Sequence, residues 1–225
     1  PRRTVENIRA RVVKAGLPDP LVVMPQVFET YDPRPFGMDA AAFPTNKASQ
    51  LAQIHTGTFA EWYLVADNCY PFQKLAEFDG AVRGGVGGAV NLAFLKFCFA
   101  DFWDQCNVDP AALFAAYKST LAQLKAAYPA VTFVHFTVPL YVAPDTNARR
   151  EQFSNLVRQE YGGKEPVFDV ALVESTRPDG SRERDPGGVP ALVPAYTNVG
   201  DEGHLNATGK DRVARALVAF LAALP

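Results

Sequence analysis

The chain has 225 residues, enough to bury a sizeable core, and its formal net charge of −2 gives no electrostatic footprint for nucleic acid or an anionic membrane surface. Hydrophobic residues at 48% and charged residues at 20% are ordinary for a soluble globule, and a single domain over 1–225 is the default expectation. No apolar run approaches the roughly 20 residues that a bilayer crossing needs. The chain opens Pro1-Arg2-Arg3, with neither a Met nor a signal peptide. It is therefore expected to be a processed or trimmed product, soluble, and either cytoplasmic or exported after signal removal. The three cysteines, Cys69, Cys98 and Cys106, form no Cys-x-x-Cys pair and are too few for a disulfide scaffold. A Cys69–Cys106 bridge is compatible with the sequence but not decided by it, and Cys98 reads as a small buried hydrophobe.

Thr4 to Ala15 reads as a helix with Val5, Ile8, Val12 and Val13 on one face, ended by Gly16. Leu21 to Phe28 suits a short buried strand interrupted by Pro25, and Tyr31 to Pro44 a surface loop rich in proline and aromatic residues. Asn46 to Tyr63 is ambiguous, with weak helical spacing, and Val65 to Pro71 looks like a loop. Phe72 to Arg83 predicts a helix. Gly84-Gly85-Val86-Gly87-Gly88 predicts a flexible connection to the next strand. No Lys-Ser/Thr follows it and no strand precedes it, so neither phosphate-loop pattern is met. Val90 to Phe99 is nearly continuous in apolar residues, as in a parallel strand covered on both faces. Pro110 to Tyr128 predicts a helix with Leu113, Tyr117, Leu121 and Leu124 on one stripe. Val131 to Leu140 and Val167 to Val173 predict further buried strands. Asn147 to Tyr161 predicts a helix between them, Arg177 to Gly188 a polar loop, and Ala207 to Leu224 a terminal amphipathic helix. Strand alternating with helix predicts an α/β fold, a parallel sheet with helices on both faces. The strand ends after residues 28, 99, 140 and 174 then share the edge where such sheets place their ligands.

The segment Thr197-Asn198-Val199-Gly200-Asp201-Glu202-Gly203-His204-Leu205-Asn206-Ala207-Thr208-Gly209 stands just before that last helix. It reads as a loop made mobile by Gly200 and Gly203, with Asn206 or Thr208 as the helix cap. A carboxylate three residues before an imidazole can turn back onto one ring nitrogen, fix the tautomer and leave the other nitrogen as a base. A capping Asp beside a surface His is the plainer role for the same spacing.

With these segments in hand, the chain resembles the SGNH (GDSL-type) hydrolases, in a bacterial branch, over most of its length. Asp201-Glu-Gly-His204-Leu-Asn-Ala-Thr-Gly209 before a terminal amphipathic helix is similar to the family's last block. Val65-Ala66-Asp67-Asn68-Cys69-Tyr70-Pro71 resembles the block that lines the oxyanion hole. Asn91 to Asp101, Thr137-Val-Pro-Leu140 and Phe168-Asp-Val-Ala171 resemble strands of the same branch. The resemblance implies a three-layer αβα sandwich with a mostly parallel sheet, flavodoxin-like and of SGNH type. It implies an esterase acting on acyl esters, among them carbohydrate O-acetyl groups, with no cofactor and no metal. His204 becomes the general base, Asp201 its orienting partner, and Asn68 and Ala66 oxyanion donors. Ala66 stands where the family has Gly, and its backbone N–H is retained. Asn68 also suits a turn residue bonding its own backbone.

The family's serine follows a first strand and opens the first helix. Here that helix is Thr4 to Ala15, with no strand ahead of it, and Thr4 falls near the nucleophile's place. Three expectations stand side by side: a first strand missing with the serine, Thr4 as nucleophile or merely as helix cap, and a module without a nucleophile that only binds. Ser49, Ser119, Ser154 and Ser175 occupy no Gly-x-Ser-x-Gly elbow. His55 is the candidate substrate contact, although a structural role is favoured for a lone histidine, and His135 reads as a satisfied core histidine. Lys96 lies inside an apolar strand and needs a partner: either it faces Asp101 or another carboxylate near the sheet edge, the favoured reading, or it helps position substrate; Asp101 and Glu174 at strand ends read as cleft or supporting residues. The partner expected is a small-molecule or carbohydrate ester. The reading from a different class is a catalytically silent glycan- or protein-binding module. A metal hydrolase ranks well behind both, because the three scattered histidines lack ligand spacing.

Overall fold

The computed structural model describes residues 42–43, 61–62, 66–144 and 147–224. The expected helix at 4–15 and strand at 21–28 lie outside them, as do Thr4, Ser49 and His55. Ala42–Phe43 (β1) and Glu61–Trp62 (β2) form a short parallel pair. The chain continues as Pro71–Ala81 (α1), Leu92–Leu95 (β3), Pro110–Ala127 (α2), Thr132–Phe136 (β4), Ala148–Tyr161 (α3), Val167–Phe168 (β5), Val170–Glu174 (α4), Thr197–Asn198 (β6), Asp201–Leu205 (β7) and Ala207–Ala222 (α5).

Strands β3, β4 and β5 make a parallel sheet in that order, with Leu92 opposite Thr132 and His135 opposite Val167. The period of two along β4 divides the core. Phe133 packs with Leu75, Leu113, Leu121 and Phe153, while Val134 and Phe136 pack with Leu192, Tyr196, Val213 and Leu217. An α/β arrangement with parallel strands is therefore present. Helix α2 forms for the expected reasons: Pro110 needs no N–H in the first turn, and the stripe Leu113, Tyr117, Leu121 and Leu124 is buried; the structure adds a cap, Asp109 Oδ1 accepting the Ala111 N–H at 2.9 Å.

Several expectations are corrected. The strands are shorter than their apolar runs. β3 stops at Leu95, so Lys96 is exposed rather than enclosed in a strand, and Cys98 lies beyond the strand and only half-buried. β4 stops at Phe136, three residues before Pro139, which has no N–H to continue a ladder. The run Val167 to Val173 is not one strand. After Phe168 it becomes helix α4, because Asp169 Oδ1 accepts the Leu172 N–H at 3.0 Å and caps it. Glu174 thus ends a helix, and its buried carboxylate accepts the Leu140 N–H at 2.7 Å. The glycine run is not a loose turn. It coils on from α1 as a π-helical turn, Val82–Val86, in which Gly85 alone leaves helical geometry at φ 131°.

The segment around Asp201 is not a mobile loop either. β6 and β7 form an antiparallel hairpin, with Asn198 opposite Asp201 and Gly200 supplying φ 84° at the turn. Along β7, Gly203 and Leu205 face inward while Asp201, Glu202 and His204 are exposed. The hairpin docks where the chain leaves β4: the Val142 N–H donates to the Glu202 carbonyl at 3.0 Å and the Tyr141 hydroxyl to the Glu202 carboxylate at 2.7 Å.

Candidate active site

Asn206 sets the position of His204. Its Oδ1 accepts the Thr208 and Gly209 N–H groups at 3.0 and 3.1 Å, which caps α5 as expected. Its Nδ2 donates backwards to the Ala195 and Thr197 carbonyls at 3.1 and 2.8 Å. One side chain therefore ties the helix start to the hairpin. The Thr197 hydroxyl adds a bond to the His204 carbonyl at 2.7 Å.

Asp201 Oδ1 lies 2.5 Å from His204 Nδ1. An ionised carboxylate only accepts, so the neutral ring carries its proton on Nδ1 and its lone pair on Nε2. Among the described residues Nε2 meets no hydrogen-bond partner. The pair is open to solvent, with 63% of the His204 side chain and 49% of the Asp201 side chain exposed, so water screens the interaction and geometry, not stability, is its main yield. The ring is steadied from one side by Phe99, edge-on at a centroid distance of 5.3 Å. Phe99 in turn contacts Trp103 and Tyr141, at 5.9 and 5.6 Å. Gly203 is needed here for closeness: a Cβ on it would lie 2.2 Å from Cζ of the Phe99 ring. Arg150 Nε donates to the Phe99 carbonyl at 2.9 Å, and the Asn147 side chain bonds both the N–H and the carbonyl of Tyr141, at 2.8 and 2.9 Å. The wall beside His204 is thus built from segments that follow β3 and β4.

The segment bearing Asn68 is joined to the same wall from the other direction. A disulfide links Cys69 to Cys106, the pairing that the sequence left open. Asp101 is fully buried, and its carboxylate accepts the Cys69 and Cys98 N–H groups at 3.2 and 2.9 Å and the Lys74 ammonium at 2.8 and 3.0 Å. It is therefore the anchor of the turn and not a cleft residue, and its partner is Lys74 instead of Lys96. Asn68 is exposed, and its Oδ1 accepts from Lys74 Nζ at 3.3 Å. Its N–H goes to the neighbouring Asp67 carboxylate at 2.7 Å. The Ala66 amide differs from the expectation: it donates to Glu77 Oε2 at 3.1 Å and is not open to a developing oxyanion. The reason is helical geometry, since α1 carries Glu77 back over the segment that precedes it.

The serines among the described residues do not complete a triad. Ser175 is buried, donates to the Ala171 carbonyl and accepts from Arg182 at 2.7 Å. Ser154 is buried and accepts the Val138 N–H at 3.0 Å. None of them bonds to His204. Among the described residues no three of His, Cys, Asp and Glu converge as a metal site would require. Two grooves over the described residues lie elsewhere, one of about 400 Å³ along α3 beside Glu151 and Asn155 and one of about 510 Å³ between α4 and α5 beside Tyr196 and Arg212.

His135 is the core histidine that the sequence predicts. Its Nδ1 is 2.8 Å from the Tyr117 hydroxyl, its Nε2 is 3.0 Å from Glu165 Oε2, and its ring stacks on Tyr161 at 3.5 Å. Sequence reasoning missed Lys74 and Glu77. The available signal was a lysine on the stripe Pro71, Lys74, Leu75 and Phe78, all buried, where a charge requires a partner. No family model matches this chain, and neither a curated protein nor a solved structure matches it.

Proposed function

We propose that the chain is an ester hydrolase of SGNH type, with His204 as general base and Asp201 as its orienting group. The observation that carries the reading is the 2.5 Å bond from Asp201 to His204 Nδ1, with Nε2 left open on a docked hairpin ahead of α5. The sequence resemblance adds the reaction class and the fold, a three-layer αβα sandwich of which β3, β4, β5 and the helices beside them form the described part.

In this reading a hydroxyl oxygen attacks the ester carbonyl carbon while its proton passes to His204 Nε2. The carbonyl electron pair moves onto oxygen, where Asn68 Nδ2 donates to it. Collapse of that intermediate expels the alcohol, which takes the proton back from Nε2, and water repeats the sequence on the acyl-enzyme. The nucleophile is Thr4 or a serine on a longer form of the chain. The substrate class is an acyl ester, with carbohydrate O-acetyl groups as the leading case and acyl transfer to a second hydroxyl as the related reaction.

A second reading, a silent glycan- or protein-binding module, is favoured by one observation: no serine among the described residues bonds His204. Labelling with a fluorophosphonate probe, followed by peptide mapping, separates the two. The esterase reading expects an adduct that disappears in His204→Ala. An adduct of equal yield in His204→Ala, or none on this chain or a longer form, overturns it in favour of the binding module.

A further inference from the structure

We infer that Lys74 is the positioning residue for the Asn68 amide, fixing which end of that amide is presented to the substrate. The inference rests on the esterase reading, in which Asn68 donates to the oxyanion.

An asparagine amide has an acceptor end and a donor end of nearly equal size, and a surface asparagine is free to exchange them. Lysine is a donor only. With Lys74 Nζ 3.3 Å from the Asn68 side chain, the end that faces it must be the oxygen. The NH2 end is then turned away, and it has no hydrogen-bond partner among the described residues. Only that orientation serves an oxyanion; a flipped amide would present a carbonyl oxygen and repel it.

Lys74 can do this because it is itself held. Its side chain is 10% exposed and Asp101 is 0% exposed, so the ammonium has little freedom. Asp101 fixes it at 2.8 and 3.0 Å and, through the Cys69 and Cys98 N–H groups, fixes the turn that carries Asn68 and the loop that carries Phe99. A buried ion pair is a weak source of stability, since apolar side chains of similar volume often serve as well. An apolar pair could not select the amide rotamer. The Ala66 and Cys69 N–H groups are both already engaged, by Glu77 and Asp101, whereas the Asn68 NH2 is not.

The test is steady-state kinetics on a short-chain acyl ester with the full chain, in the longest form that shows His204-dependent turnover. Variants are Asn68→Ala, Lys74→Met, their combination, and Lys74→Met/Asp101→Asn, which removes both buried charges in case Lys74→Met alone does not fold. Asn68→Ala is expected to lower kcat by about 10²–10³-fold, the usual loss for one oxyanion donor. Lys74→Met and the charge-free double variant are expected to lower kcat at least about tenfold with KM nearly unchanged. Adding Asn68→Ala to either is expected to give no more than the Asn68→Ala loss, since both act through one donor. Losses that multiply, or a folded Lys74→Met/Asp101→Asn protein with wild-type kcat, overturn the Lys74 assignment and leave the esterase reading standing. Absence of His204-dependent turnover in every form overturns both.

Discussion

His135 and His204 each bond a carboxylate, yet their surroundings are opposite. His135 is fully buried and uses both ring nitrogens, with the Tyr117 hydroxyl at 2.8 Å and Glu165 at 3.0 Å. Burial pushes its pKa below the ordinary histidine value, with Lys125 nearby acting in the same direction against the pull of Glu165. The neutral ring then donates from Nε2 to Glu165 and accepts the Tyr117 proton at Nδ1. His204 uses Nδ1 for Asp201 and leaves Nε2 facing outward from an exposed strand. The carboxylate alone does not make a base. What separates the two sites is whether the second nitrogen is spent on the core or left open, and on the esterase reading the open one meets the reactant.

The largest contrast is expected from alanine at each position. On the esterase reading His204→Ala lowers kcat by about 10⁴-fold or more, as loss of a triad base does. It leaves the urea midpoint almost unchanged, because the side chain is exposed and substitutions at such sites cost within about 0.5 kcal/mol. His135→Ala reverses the pattern: a stability loss of about 3–5 kcal/mol in urea unfolding, from a cavity and from Tyr117 and Glu165 losing their partner, with kcat of the folded fraction little altered. Equal stability losses at the two positions would remove the distinction drawn above.

A smaller effect is expected at Gly203, which touches the His204 side alone. Gly203→Ala places a methyl group against the Phe99 ring, and the misfit costs about 1–3 kcal/mol. On the esterase reading kcat falls as well, since Phe99 is the ring that steadies His204, and a Tm scan with parallel ester kinetics reads both.

The smallest effect is in pH. The folded-state pKa of His135 is lowered, so the unfolded chain binds this proton more readily and stability rises with pH. The stability that His135 contributes is complete above its unfolded pKa of about 6.5 and is lost as pH falls from there toward the folded value. Urea midpoints measured across that window are expected to fall more steeply in the wild-type protein than in His135→Gln. Equal slopes in wild type and His135→Gln would place no proton uptake at His135.

Local features were legible where a few adjacent residues settle the matter. Pro110 with a regular stripe behind it specifies α2, and Asn206 two and three residues before the N–H groups it accepts specifies the start of α5. The run from Val167 to Val173 was harder, because short apolar runs suit strand and helix alike; the Asp169 cap, held by Arg158 at 2.7 Å, decided for α4 after Phe168. The Asp201–His204 pairing was legible from its spacing of three, whereas the hairpin that presents it was not. Two-residue strands carry almost no periodicity.

The sequence by itself determined the order of helices and apolar runs, the cap at the start of α5, and the spacing of Asp201 and His204, because each depends on residues within about one turn of each other. Tertiary structure alone decided that Cys69 meets Cys106, that Asp101 receives Lys74 from 27 residues away, and that the Ala66 amide is given to Glu77. Those choices follow from how the segments after β3 and β4 pack against α1 and the hairpin. Buried charges and amide protons must find partners wherever the fold brings them, and no local pattern names those partners in advance.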